Sequence, residues 1–214
     1  MTDDPPPDPT LRPAPFPPRA PRAVTLLITG KLVTRAEEGL CRVRNISATG
    51  MQIETRIPLA VGDAVGVELR GLSAIAGKVV WSRGSLAGIA SDGAIDVERL
   101  LHPAPVSRLV RAPHPRGPRV LVELAIEVQD GDGIHEAALI DLSQGGARVR
   151  LPFRPRIEER LSLIVPGLPL KSGAVRWIRG DEAGIAFYEP LSFDCLAEWL
   201  VDRGRGGAPA AAAR

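Results

Sequence analysis

The sequence predicts a mainly all-β protein: two small six-stranded antiparallel β-barrels in tandem, each followed by a short α-helix. Three observations predict it. The chain repeats itself: WSRGSLAGIA at Trp81–Ala90 returns as WIRGDEAGIA at Trp177–Ala186, an offset of 177 − 81 = 96 residues. The same offset carries Gly77 to Gly173, Val79 to Val175, and Asn45–Gly50 onto Asp141–Gly146. A period of that length is domain-sized, not a solenoid unit. Second, each copy holds six short apolar runs separated by glycines. Third, several runs alternate strictly, as in Leu124, Ile126 and Val128 against Glu123 and Glu127, the period of a half-buried strand. Closing six such strands into a barrel also removes the exposed sheet edges.

In chain order, residues 1–18 hold eight prolines and read as an extended, disordered tail. Copy one occupies 19–101, with strand candidates at Val24–Val33, Leu40–Val43, Met51–Ile53, Val65–Leu69, Ile75–Trp81 and Leu86–Ala90. Val97, Leu100 and Leu101 then form a short helical stripe, which Pro103 stops. Residues 102–115 carry Pro103, Pro105, Pro113 and Pro115 and read as a semi-rigid linker. A free chain over those residues would let the two barrels tumble almost independently.

Copy two occupies 116–203. Its strand candidates are Val120–Val128, Ala137–Ile140, Ala147–Leu151, Leu161–Val165, Gly173–Ile178 and Gly184–Phe187. Phe193, Leu196, Ala197 and Leu200 follow i, i+3, i+4, i+7, with Ser192 as the N-cap. This helix is expected to plug or flank its own barrel. Residues 204–214, rich in Gly and Ala, read as a second disordered tail.

Composition narrows the function. With 44% apolar and 24% charged residues the chain is an ordinary globular protein. A net charge of +2 is too small to argue for a polyanion partner. The basic residues are nearly all arginine, which fits either a GC-rich coding bias or a need for forked donors to phosphate or guanine. Only eight aromatic residues occur, too few for a stacking platform, so DNA or RNA is not expected as a partner. Cys41 and Cys195 have no repeat counterparts and form no Cys-x-x-Cys, which favours a reducing cytoplasm. An export signal or a run of about 20 apolar residues is missing, so no membrane insertion is expected. His102, His114 and His135 share no ligand-like spacing, and no metal-protease, nucleophile-elbow or phosphate-loop motif occurs. The expectation is a non-enzyme, with no metal and no cofactor.

What remains is an Arg-x-x-Arg paired with (Asn/Asp)-x-Ser-x-x-Gly, made twice. The pairs are Arg19 and Arg22 with Asn45, Ser47 and Gly50, and Arg116 and Arg119 with Asp141, Ser143 and Gly146. The hexapeptide alone has two readings. It is either a hairpin connection, its Asx and Ser side chains bonding nearby amides and its glycine taking positive φ, or a ligand loop. The arginines favour the second. A guanidinium matches phosphate oxygens and the O6/N7 edge of guanine, while a carboxylate accepts from guanine N1–H and N2–H. Trp81 and Trp177, on alternating strands, read as barrel packing rather than base-stacking residues.

The ordered set resembles the PilZ domain, the small-barrel receptor family for cyclic di-GMP. Copy two carries it in Asp141, Ser143, Gly146, Val175, Trp177, Gly184, Ile185 and Phe187. Copy one carries it in Asn45, Ser47, Gly50, Val79, Trp81, Gly88 and Ile89. The resemblance implies a cyclic di-GMP effector that holds its ligand between the Arg segment and the hexapeptide loop, and acts on a downstream protein partner. Family members carry RxxxR, whereas Pro18 and Pro115 stand four residues before Arg22 and Arg119, leaving RxxR. That departure motivates an alternative, a degenerate tandem PilZ adaptor that binds a protein and no nucleotide. Asn45 is a neutral acceptor where Asp141 is charged, so copy two is expected to be the better site.

Overall fold

The computed structural model describes residues 24–69, 74–101 and 117–205. The tails and linker read in the sequence, together with Arg19, Arg22 and Arg116, lie outside those residues. The first copy forms β1 (Val24–Val33), β2 (Glu38–Ser47), β3 (Gly50–Thr55), β4 (Ala64–Glu68), β5 (Ile75–Arg83) and β6 (Leu86–Ser91), followed by α1 (Val97–Leu101). The second forms β7 (Val120–Gln129), β8 (Ile134–Ser143), β9 (Gly146–Arg150), β10 (Arg160–Ile164), β11 (Lys171–Arg179) and β12 (Glu182–Phe187), followed by α2 (Phe193–Arg205). Each set closes on itself, in the orders β1-β2-β3-β6-β5-β4 and β10-β11-β12-β9-β8-β7. Every pairing is antiparallel, so the predicted fold class is the observed one.

Alternation drives the closure. On β7, Leu124, Ile126 and Val128 are buried while Glu123 and Glu127 face solvent. On β3, Met51, Ile53 and Thr55 point inward and their neighbours do not. Inward Leu, Ile and Val from all six strands fill each interior, the centre of a closed six-stranded barrel being a packed core. The hairpins turn on glycines where positive φ is required: Gly84 (φ 59) between β5 and β6, and Gly180 (φ 63) between β11 and β12.

The C-terminal helix does more than flank its own barrel. Ser192 caps it as the sequence indicates, its Oγ accepting from Cys195 N–H at 3.2 Å. The stripe of Phe193, Leu196, Ala197 and Leu200 packs into barrel two. Trp199 joins them from outside the stripe, donating Nε1–H to the Pro166 carbonyl at 2.8 Å. Val201, however, belongs to the core cluster of barrel one, and Leu40 of β2 belongs to that of barrel two. The Arg42 guanidinium lies 4.2 Å from the Phe193 ring centroid. Arg56 reaches Asp194 at 3.2 Å and Glu198 at 3.1 Å. The barrels therefore share a packed seam along β2 and α2. This corrects the expectation of independent tumbling, because the period-3.6 stripe registers one face of α2 and misses the residues on its flank.

Candidate functional site

Both hexapeptides straddle a hairpin. Ser47 pairs with Gly50 and Ser143 with Gly146, so Ala48-Thr49 and Gln144-Gly145 form the two turns, between β2 and β3 and between β8 and β9. In each copy the serine hydroxyl donates to the glycine carbonyl, at 3.2 Å for Ser47 and 3.0 Å for Ser143. That bond holds the turn shut, and in copy two it is buried.

The glycines serve a different purpose from the one read in the sequence. Neither Gly50 nor Gly146 has a positive φ; each begins a strand. A Cβ on Gly50 would fall 2.3 Å from the Ile89 carbonyl oxygen, and one on Gly146 would fall 2.3 Å from that of Ile185. Close approach of the neighbouring strand, β6 or β12, excludes a side chain at these positions. The chain reversal that glycine was expected to provide is carried by the two residues before it.

The first residue of each hexapeptide points outward and bonds a side chain, not the local amides. In copy two Asp141, 7% exposed, accepts from Arg119 Nη1 at 2.5 Å. A charge-assisted bond of this kind is among the stronger hydrogen bonds in proteins. It brings together two of the residues singled out in the sequence, one from the Arg segment and one from the hexapeptide. In copy one Asn45 donates to Gln52 Oε1 at 2.6 Å, an amide pair without net charge.

Strand register extends each contact into a row across the barrel's outer surface. In copy two Leu121 of β7 lies opposite Asp141 of β8, Asp141 opposite Arg148 of β9, Arg148 opposite Gly184 of β12, and Gly184 opposite Trp177 of β11. Residues directly opposed in an antiparallel pair share a face. The row thus reads Leu121, Asp141, Arg148, Gly184, Trp177. Leu121 is 71% exposed, leaving an apolar side chain in water beside the Arg119–Asp141 pair. The matching row in copy one is Thr25, Asn45, Gln52, Gly88, Trp81.

The tryptophans end these rows on the outside of the barrels, not within the cores. A Cβ on Gly88 would meet Trp81 Nε1 at 2.0 Å, and one on Gly184 would meet Trp177 Nε1 at 1.9 Å. Each indole therefore lies flat over a glycine of the next strand. Trp81 keeps 40% of its surface exposed. A register shift between Val79 and Trp81, repeated between Val175 and Trp177, turns the ring outward where simple alternation places it in the core.

Sequence reasoning missed Arg148. It bonds Glu182 through Nε at 2.9 Å and Nη2 at 2.5 Å. Glu182 also approaches Arg150 Nη2 at 3.4 Å, and Arg150 reaches Asp181 at 3.2 Å. Arg148 escapes motif reading because its proximity to Asp141 is set by pairing across the hairpin. The one available signal was the difference between Gln52 and Arg148 at the repeat offset.

A groove of about 780 Å³ on barrel two, lined by residues including Ala125, Ala138, Leu151 and Ile164 and edged by the Arg150–Asp181 pair, does not include Arg119, Asp141 or Ser143. Among the described residues no group of three or more His, Cys, Asp or Glu could hold a metal ion. Nor is any described helix long and apolar enough to cross a membrane.

The sequence matches the family described as PilZ domain over two segments, residues 18–101 and 112–200. Among solved structures, the chain is similar to the Borreliella burgdorferi PlzA protein in complex with c-di-GMP, at 13% identity, 79% of this chain and 85% of that chain covered, and TM-score 0.36. It is similar to YcgR in complex with c-di-GMP from Escherichia coli at 13% identity, with 84% and 85% covered and TM-score 0.32. For the K. pneumonia MrkH–c-di-GMP complex the values are 10%, 82%, 86% and 0.33. No curated protein matches.

Proposed function

The chain belongs to the PilZ domain family and carries that domain twice, and on this premise we propose that it is a non-catalytic receptor for cyclic di-GMP. The ligand lies between the Arg segments and the outward face of the hexapeptide hairpins. Arg116, Arg119, Asp141, Ser143 and Gly146 make the stronger site, and Arg19, Arg22, Asn45, Ser47 and Gly50 the weaker one. Signalling passes to a downstream protein partner.

The observation that carries the reading is Arg119 seated on Asp141. Each is the chemical complement of a guanine nucleotide. The carboxylate accepts N1–H and N2–H, and the guanidinium donates to O6/N7 or to a phosphate. Binding is then an exchange of partners: guanine N–H groups replace Arg119 on the carboxylate as Arg119 turns to the ligand. Stripping the arginine from a buried carboxylate with nothing in its place is strongly unfavourable. The exchange avoids that penalty. Ser143 contributes by holding the turn that presents Asp141.

The competing adaptor reading rests on Pro18 and Pro115, which stand where the family carries an arginine. One experiment decides between them. Cyclic di-GMP titrated into the full chain is expected to release or absorb heat and to raise the melting temperature. A ligand at about a hundred times Kd stabilises the native state by about 2.7 kcal/mol. At about 4–8 °C per kcal/mol, that shifts a domain of this size by about 10–20 °C. No heat and no shift at about 100 μM ligand, where even micromolar affinity saturates, leaves the adaptor.

A further inference from the structure

Among the described residues, Arg148 has a partner but no function assigned by the hexapeptide or the Arg segment. It faces outward between the buried Ala147 and Val149, directly opposite Asp141 on the same face of the sheet. Neighbouring strands are about 4.8 Å apart. A ligand with two bases and two phosphates, laid against Asp141, therefore passes over β9 as well. On the far side the Trp177 indole, lying over Gly184, bounds that surface.

The ion pairs show how Arg148 is held. Glu182 engages it twice, but the same carboxylate also lies 3.4 Å from Arg150. Glu182 thus keeps a cationic neighbour when Arg148 leaves. Arg119, Arg148 and Arg150 are each matched by Asp141, Glu182 or Asp181, so the empty surface is neutralised from within. A dianionic ligand requires some of these cations to change partner, and Arg148 is the one whose departure strands no charge. Copy one differs at this place: Gln52 stands where Arg148 does, its Oε1 accepting from Asn45, and the arginine engaged twice by a glutamate is Arg44 of β2, held by Glu54.

We infer that Arg148 is a ligand-contacting residue of the copy-two site, held in reserve by Glu182 and released to a phosphate or guanine edge of cyclic di-GMP. This rests on the receptor reading above and adds to it a residue that distinguishes the two copies. It also makes Glu182 a positioning residue that competes with the ligand for the guanidinium.

The test is calorimetric titration of cyclic di-GMP into the full-length chain and its variants, with the melting temperature of each recorded first. Arg148→Gln, which gives copy two the residue of copy one, is expected to weaken the tighter site about tenfold to a hundredfold, the range of one charged hydrogen bond. Glu182→Gln is expected to tighten binding by freeing Arg148, and that gain must vanish in the Arg148→Gln background. A merely structural Arg148–Glu182 pair predicts the reverse: both variants lower the melting temperature and neither changes affinity. If Arg148→Gln does not fold, Arg148→Lys keeps the charge and loses the fork, and it must still weaken binding severalfold. Wild type that binds while Arg148→Gln or Arg148→Lys binds equally well overturns this inference alone. A Glu182→Gln gain that persists without Arg148 also overturns it. Wild type that binds no cyclic di-GMP sinks the receptor reading with it.

Discussion

Replacing Gly146 with alanine tests what the glycine of the hairpin is for. The new Cβ would sit 2.3 Å from the Ile185 carbonyl oxygen, 3.3 Å from its carbon and 3.4 Å from Ala186 Cα. All three are backbone atoms of β12, whose Ala186 is the register partner of Gly146. No side chain can rotate away, so β9 and β12 must part locally. Overpacking an interior costs about 1–3 kcal/mol. Loss of one ladder hydrogen bond adds about 0.5–1.5 kcal/mol. Gly146→Ala should therefore cost about 1.5–4.5 kcal/mol, and at about 4–8 °C per kcal/mol the melting temperature of barrel two falls by about 6 °C or more. Gly146→Asn separates close approach from backbone conformation. Asparagine enters the left-handed region more readily than alanine, so a glycine kept for positive φ tolerates Asn better than Ala. Gly146 should show no such rescue. Gly180 is the control: its φ is 63 and nothing lies within 4 Å of its virtual Cβ, so there Asn should outperform Ala. Thermal unfolding followed by circular dichroism reads all four variants. A Gly146→Asn more stable than Gly146→Ala, or a Gly146→Ala within about 1 kcal/mol of wild type, refutes the reasoning.

Three further outcomes follow from the same geometry. Leu40→Ala, removing a buried β2 side chain from the core of barrel two, should cost about 2–5 kcal/mol; scanning calorimetry should show the two barrels melting further apart, and an unchanged profile would mean the seam is not cohesive. Asp141→Ala should reduce cyclic di-GMP affinity more than Asn45→Ala, because Asp141 offers a charged acceptor, already paired with Arg119, where Asn45 offers a neutral one; equal losses in titration would show that the carboxylate does not set affinity. Burial pushes the Cys41 thiol up to about 12 from an ordinary value of 9.0. The unfolded thiol ionises first as pH rises, so this group's contribution favours the folded state below pH 9.0 and is lost progressively toward pH 12. In native protein at neutral pH a thiol reagent should modify Cys195 rapidly and Cys41 only after denaturant is added, and rapid native labelling of Cys41 would contradict its burial.

The barrels were legible in the sequence because their signal is local. Alternation on β7 and the glycine-bounded runs report which side of a strand is buried, and twelve such strands with no gaps close in only a few ways. Two features were not legible, for separate reasons. A glycine has more than one physical justification, and its letter does not distinguish them: Gly50 and Gly146 looked like turn residues and are close-approach residues. The β2–α2 seam depends on Leu40 and Val201, each of which looks like an ordinary core residue of its own copy. Only the docking of the copies decides which core each one joins. Arg148 is a third kind of case, since its distance to Asp141 comes from the pairing of β8 and β9, with the shift between Leu139 and Asp141 included.

The two copies agree and differ in a pattern that strand packing explains. Gly50 and Gly146 meet a carbonyl oxygen of the next strand at 2.3 Å, Gly77 and Gly173 meet one at 2.4 Å, and Gly88 and Gly184 lie under an indole. At those positions any side chain displaces backbone or an overlying indole, so packing dictates the residue in both copies. At the Asn45/Asp141 and Gln52/Arg148 positions of the outer row the barrel dictates nothing. Asn45 against Asp141 and Gln52 against Arg148 are all compatible with the same ladder, because each points away from the core. Folding therefore does not account for the bonded amides Asn45 and Gln52 at positions where the other barrel has Asp141 and Arg148, each in an ion pair of its own. An arrangement that the fold neither requires nor forbids, placed beside an exposed Leu121 and an outward Trp177, is where the chemistry of the two copies is free to diverge.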